Sequence, residues 1–550
     1  MDNMILTPLQ LWEDYDPQAQ PLQASFKRYD DRGDYFYVQG YFNGDSYSDG
    51  VVRIFFKGIL PKGDCKKLAI LIDDYDGNLS EDNFKGLIRQ GFGYIFFDYC
   101  GEKVGKSNYT KYPKSIDYAN VSRAGSHLDH AIPDAKATCH FVWTKVCRRV
   151  ITLATFLLGE DVQIFLVGLR KGSTIAWQTA GMDGRVDGLI ATLSAGWEEY
   201  GDYHKFSDND IVLSDERARW LAGCAPQTYA RFIKCPTLFI GASNSDLTPV
   251  DRLENTLNVI AEKNKLKKCI CAGHCHSVDY SAIMLVMKWL SATSSGELLP
   301  HSPKMSLVVK NGKLVAEVAF DESIAVSERC IYYSYDELDP KLRSWNKIAV
   351  AEGTSDVAIP VYANNERIYA YAQITYAEGY SLSCLLRTYE VGEEDITFTP
   401  LKRSQIIYER KKGTSSWVAE ECDEFDICST PHMQKGAFDI MGITADKGDL
   451  TTYTIGEAKY FGDDDNLLQF DTYCAEERTL EVELTVESGG KISHYATTVK
   501  LSDGDAWQKH PIEKQHFKTA DMLPLKSWKG AKKLTFKNIS GVLINNILWV

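Results

Sequence analysis

The sequence predicts an α/β domain followed by two all-β sandwiches. Short buried runs alternate with helical stretches through residues 66–292, the pattern of a largely parallel sheet covered by helices. One of those runs, Ile164–Val167, ends in Gly168-Leu169-Arg170-Lys171-Gly172 and turns directly into a helix of small residues beginning at Ser173. Beyond Ser294–Lys304, a Ser/Gly/Pro stretch with little to pack, the segments become short, alternating and rich in Val, Thr and Tyr.

Taken in order, Tyr35–Phe42 and Val51–Ile59 alternate as strands, with Gly44 and Asp49-Gly50 as turn signals between them. Lys67–Asp73 is a buried run that leads into the acidic turn Asp73-Asp74-Tyr75-Asp76-Gly77-Asn78. A helix over Asp82–Gln90 and a second buried run, Tyr94–Asp98, follow. Cys100–Ile132 is irregular and polar, and a loop of that length in a compact domain is usually functional or mobile. Ala135–Leu158 carries apolar residues at helical spacing, with Asp134 as a candidate cap. After the central turn come a strand at Val186–Ala195, a polar insertion from Trp197 to about Thr228 and a strand at Cys235–Gly241. A helix at Leu253–Asn264, a last strand at Leu266–Ala272 and a helix at Tyr280–Ala292 close the domain. These boundaries divide the chain into an α/β domain at 1–297, an immunoglobulin- or fibronectin-like sandwich at 302–393 and a jelly-roll sandwich at 394–550. In the middle domain Lys310-Asn311-Gly312-Lys313 has the residues of a two-residue hairpin turn.

A chain of 550 residues is too long for one core, which agrees with several domains. Its net charge of −14 is spread along the chain, and phosphate contacts need clustered Lys and Arg, so neither nucleic acid nor an anionic membrane is the expected partner. No segment is apolar for long enough to span a bilayer. The N-terminus lacks the basic, apolar and small-residue regions of a signal peptide. The 14 cysteines are scattered and read as reduced thiols, so the expected location is the cytoplasm.

The turn at Gly168–Gly172 has the layout of a nucleophile elbow, G-x-S-x-G, in which a buried strand bends sharply into a helix and displays one side chain at the apex. The apex here is Arg170, which has no nucleophilic lone pair at accessible pH. Downstream, a hydrolase triad of this type needs an acid and then a histidine, each just past a strand. Asp246, in Gly241–Pro249, and His274, in Cys271–His276, stand in that order.

On the elbow, on Asp246-x-x-Pro249, on Gly273-His274 and on the helix bearing Phe141, Trp143, Arg148 and Arg149, residues 30–292 resemble the α/β hydrolases, in their cephalosporin C deacetylase and acetyl-xylan esterase branch. Dienelactone hydrolases are near neighbours of that branch. The resemblance implies a Ser-Asp-His triad at positions 170, 246 and 274. It also implies an oxyanion hole made by the backbone N–H groups of Lys171 and of Tyr75. The sequence departs from the family at two places. Arg170 replaces the serine, and the family's H-G-Y-G turn has become Asp73-Asp74-Tyr75-Asp76. Carboxylates beside an oxyanion hole repel the charge it stabilises. A cation at the apex and anions on the facing turn are expected to pair, with Asp73, Asp74, Asp76 and Asp246 as the candidate partners.

Ser173 is the alternative nucleophile, but it falls inside the first helical turn and not at the apex. Cys269, Cys271, His274, Cys275 and His276 form a Cys/His cluster whose spacing fits no usual zinc motif. Asp463-Asp464-Asp465 reads as a solvated turn before it reads as a calcium loop. Neither a metal nor a cofactor is therefore expected. Gly448–Asp471 and Ile544–Trp549 resemble galactose-binding-like jelly rolls, although most aromatic residues of that domain are expected in its core. The functional expectation is a degenerate, inactive carbohydrate-esterase-like protein that binds a glycan or a small ester. An active deacetylase with a non-standard nucleophile and a purely structural or interaction protein are the alternatives. Oligomeric state is not encoded in any feature of the sequence.

Overall fold

The computed structural model describes residues 4–75, 85–200, 203–206, 211–260, 265–392, 396–420, 430–504 and 506–550. By packing, these form two compact units. The first comprises Met1–Gly241, Leu247–Lys268 and Met284–His301, and the second comprises Ala242–Asp246, Cys269–Ile283 and Ser302–Val550. Among the described residues no helix is long and apolar enough to cross a membrane.

The first unit is built on a nine-stranded sheet: β1 (Ser25–Asp31), β2 (Tyr35–Tyr47), β3 (Gly50–Pro61), β4 (Lys67–Ile72), β5 (Phe92–Phe97), β6 (Gln163–Leu169), β7 (Gly188–Thr192), β8 (Thr237–Ala242) and β9 (Leu266–Cys271). Their order is β1-β2-β3-β5-β4-β6-β7-β8-β9. The first three strands pair antiparallel, whereas β5-β4-β6-β7-β8 pair parallel. This is an α/β-hydrolase sheet, with β4 and β6 at its centre. Leu68, Ala69, Ile70, Leu71 and Ile72 are all inaccessible to solvent, as expected of a parallel strand covered on both faces. The helix Cys139–Leu158 is capped by Thr138, whose side chain accepts from the Phe141 N–H.

Several elements differ from the sequence reading. Strand β1 was not expected, because its side chains are largely exposed and carry no apolar period. The helix expected at Leu253–Asn264 covers only Leu253–Leu257, and residues 261–264 lie outside the described residues. Of the helix expected at Asp82–Gln90, Lys85–Arg89 is described and helical. The polar insertion after Trp197 contains a helix, Asp215–Cys224, capped by Ser214. The irregular stretch 100–132 holds only short 3-10 turns, at Lys114–Ala119, Val121–Arg123 and Gly125–Leu128.

In the second unit, residues 304–390 form a three-stranded and a five-stranded antiparallel sheet. Asn311 and Gly312 both have positive φ in the hairpin turn joining Lys304–Lys310 to Lys313–Ala319, as an Asn-Gly turn requires. Residues 406–549 form a six-stranded and a five-stranded sheet. Phe470, Leu484, Trp528, Phe536, Ile544 and Trp549 belong to one buried cluster fed by strands of both. Trp417, Tyr453 and Tyr460 are buried as well, while Tyr473 and Trp507 are half-buried. The described cysteines are buried free thiols.

Candidate functional site

The turn after β6 carries the conformation its glycines foretell. Arg170 has φ 44° and ψ −116°, a strained geometry for any residue with a Cβ, and the helix Lys171–Met182 begins immediately after it. A Cβ on Gly168 would stand 2.6 Å from the Ser173 Cα and 2.8 Å from the Ala176 Cβ. A Cβ on Gly172 would collide with the carbonyl of Ile72 and stand 2.5 Å from that of Asp73. Both glycines are thus required for the helix to close onto β4 and β6. The apex is fixed by backbone bonds from Arg170 N to Thr192 O (3.0 Å) and from Ser173 N to Arg170 O (2.9 Å).

The Arg170 guanidinium lies against the acidic turn. Its Nε is 3.3 Å from Asp74 Oδ2, and the two side chains are only 19% and 15% exposed. The other oxygen, Asp74 Oδ1, accepts the backbone N–H of Tyr75 at 2.7 Å, while Asp73 Oδ1 accepts that of Asp74 at 2.8 Å. One carboxylate therefore takes the Tyr75 N–H, which the resemblance assigns to an oxyanion hole, and pairs with the cation at the apex. Asp76 lies outside the described residues. Lys171, whose N–H the resemblance expects as the other oxyanion-hole donor, sits at the first turn of its helix and pairs through Nζ with Glu198.

Aromatic packing holds the acidic turn in place. The Tyr75 ring centroid lies 5.3 Å from that of Trp143, and Tyr99 donates its hydroxyl to the Asp73 carbonyl. The Tyr75 hydroxyl meets His140 Nε2 at 3.2 Å. Burial holds the His140 imidazole down at a pKa of about 3, so it is neutral at ordinary pH, and burial pushes the Tyr75 hydroxyl up. Beside this turn opens a cavity of about 470 Å³ lined by Phe55, Asp73, Asp74, Phe96, Tyr99 and Asn108, among others.

Ser173 is not available as a nucleophile in this geometry. Its hydroxyl is fully buried, donates to the Thr192 carbonyl (2.9 Å) and accepts from the Thr192 N–H (3.0 Å). That pair ties the helix to β7.

Asp246 and His274 belong to the second unit, where the loops after β8 and β9 are laced together. Ser243 N donates to Cys271 O, Asn244 N to His274 O and Gly273 N to Ser243 Oγ, at 2.7–3.0 Å. The expected Asp246–His274 couple does not form. Asp246 Oδ2 pairs instead with His276 Nδ1 at 3.1 Å. The Nδ1 of His274, the nitrogen a triad acid would orient, faces Ser277 Oγ (3.2 Å) and Glu420 Oε1 (4.0 Å). Glu420 also accepts the N–H of Cys275 (2.6 Å), the N–H of His276 (3.3 Å) and the Ser277 hydroxyl (3.0 Å). Donating to the Asp246 carboxylate, and then hydrogen bonding with Cys275, raises His276 to a pKa of about 10, so it is a cation. Sequence reasoning missed His276 as the partner of Asp246, because two histidines two residues apart offer the same motif. It missed Glu420 because nothing in the sequence links a strand of the last domain to this loop.

No family model matches the chain, and no curated protein sequence matches it. Among solved structures it is similar to acetyl xylan esterase 1 from Thermoanaerobacterium sp. JW/SL YS485, at 17% identity and a TM-score of 0.38 over 53% of this chain and 96% of that one. It is also similar to the acetyl xylan esterase from Paenibacillus sp. R4, at 14% identity and a TM-score of 0.39 over 50% and 90%. A glucuronoyl esterase from Solibacter usitatus matches at 10% identity and a TM-score of 0.36 over 52% and 91%. The α/β-hydrolase fold of the first unit stands on its own strand order and on the turn at Gly168–Gly172.

Proposed function

We propose that the chain is a degenerate carbohydrate-esterase-like α/β hydrolase that binds a glycan or a small ester ligand without cleaving it. Asp74 is the observation that carries this reading. Hydrolysis needs a nucleophile at the apex and two N–H groups free to receive a developing oxyanion. Here the apex is a guanidinium, and its carboxylate partner bonds one of those N–H groups. An anionic intermediate would have to displace Asp74 from Tyr75 and leave Arg170 without that partner. Ser173 offers no second route, since both hydrogen-bonding directions of its hydroxyl are used by Thr192.

The cavity beside the plug supports the binding half of the proposal. It combines aromatic faces (Phe55, Phe96, Tyr99) with amide and carboxylate groups (Asn108, Asp73), the mixture that suits a sugar's apolar faces and hydroxyls. We read the paired sheets of 304–390 and 406–549 as two β-sandwiches, the second a jelly roll. The single buried cluster shared by the last two sheets supports that reading. The test is calorimetric titration of the intact chain with acetylated xylo-oligosaccharides and with their deacetylated forms, followed by assay for free acetate. Saturable binding without acetate release is expected. Acetate release above the buffer rate, or no binding of either form, would overturn the proposal.

A further inference from the structure

Outside the plugged site, one cluster combines three metal-ligating side chains of different kinds. Asp246, Cys275 and His276 each present a ligand atom within 4.8 Å of the others'. We propose that these three side chains bind a divalent zinc-class ion, with the fourth coordination position left to water or an exogenous donor. Binding releases the proton of the Cys275 thiol and that of the His276 imidazolium, leaving thiolate, neutral imidazole and carboxylate, a donor set that suits a borderline-soft ion and not calcium or magnesium. The spacing also fits. His276 Nδ1 and Asp246 Oδ2 stand 3.1 Å apart, and two N/O ligands on a tetrahedral zinc, with bonds of about 2.0–2.1 Å, are about 3.3 Å apart.

The scaffold around the cluster is rigid for a site made of two loops. The loop after β8 is bonded to the loop after β9 through Ser243 and Asn244, so Asp246 is carried to Cys275 and His276 by backbone geometry. Glu420 accepts the N–H groups of both Cys275 and His276, fixing the dipeptide from outside the ligand set. Access is provided by His276 and Asp246, whose side chains are 46% and 32% exposed, while Cys275 is buried behind them. The sequence alone offers the Cys269–His276 cluster, whose spacing makes no zinc motif, and of its members Cys275 and His276 belong to the site. The third ligand comes from a different loop.

The test uses the full chain dialysed against zinc, with retained metal measured by mass spectrometry, and against cobalt(II) as a spectroscopic probe. About one zinc per chain is expected, with a thiolate-to-cobalt charge-transfer band. Cys275→Ser is expected to abolish that band, and Cys275→Ser and His276→Gln each to weaken zinc binding at least about tenfold. Circular dichroism of both variants establishes that they fold. Should either variant fail to fold, Asp246→Asn, an isosteric change on a half-exposed side chain, carries the same expectation for zinc affinity. Zinc retention no greater than that of the folded variants would overturn the proposal. So would a cobalt band that survives Cys275→Ser.

Discussion

At the scale of single residues, the site is decided by what Arg170, Asp74 and His140 do to one another's surroundings. A guanidinium at a strained apex needs a carboxylate, and Arg170 pairs with Asp74, in the turn that the resemblance assigns to an oxyanion hole. Behind that turn, His140 is kept neutral and buried beneath Tyr75. The folded protein leaves this imidazole unprotonated down to about pH 3, whereas the unfolded chain protonates it near 6.5. The unfolded state therefore binds more protons between those values, and stability falls as pH drops through that window. The contribution has a slope of up to about 1.4 kcal/mol per pH unit. His140→Leu is expected to flatten the pH dependence of urea unfolding across pH 6.5–3. It is also expected to lower stability at neutral pH by about 1–3 kcal/mol, because the Tyr75 hydroxyl loses its partner. Equal slopes for parent and variant would contradict the assignment.

At the scale of elements, the strand–turn–helix unit of β6 and Lys171–Met182 is a close-packed joint. Gly172 lets the helix N-terminus approach the carbonyls at the end of β4. Gly172→Ala is expected to cost about 3 kcal/mol in urea unfolding, since backbone atoms must move to admit the methyl group. A change within about 0.5 kcal/mol would mean that the helix stands further from the sheet than described. This joint was legible in the sequence, because a buried run, two glycines two residues either side of the apex and a small-residue helix leave one geometry open. Strand β1 was not legible. It is a mostly exposed edge strand with charged side chains, paired in the sheet to β2, and such a strand has no hydrophobic period to read. The acid–base pairing was half legible. The loops bearing Asp246 and His274 were found, but the choice between His274 and His276 depends on which imidazole the loop turns toward Asp246. Ser277, itself held by Glu420 from far along the chain, takes the remaining histidine.

At the scale of the whole molecule, residues 242–246 and 269–283 form one compact unit with residues 302–550. Asn244 illustrates the dependence. Its amide donates to the carbonyls of Lys341 (3.2 Å) and Arg343 (2.9 Å), and its oxygen accepts the Trp345 indole N–H (2.9 Å). Ile270 N donates to Ser383 Oγ, and Glu420 caps Cys275. A chain cut after His301 leaves all of these buried groups without partners, each costing about 1–3 kcal/mol. Such a fragment is expected to melt well below the full chain or to aggregate. A fragment whose melting temperature equals that of the intact protein would show that the α/β domain is self-sufficient.

The central claim is that the hydrolase site is closed by its own side chains. The most direct measurement is the initial rate of acetyl-ester hydrolysis by the intact protein, beside His274→Ala and the double variant Arg170→Ser/Asp74→Gly. The account predicts that the parent turns over no faster than His274→Ala. It also predicts that removing the plug and supplying a hydroxyl can only raise the rate. A parent rate well above that of His274→Ala would contradict it, because Asp74 and Arg170 would then be part of a working site.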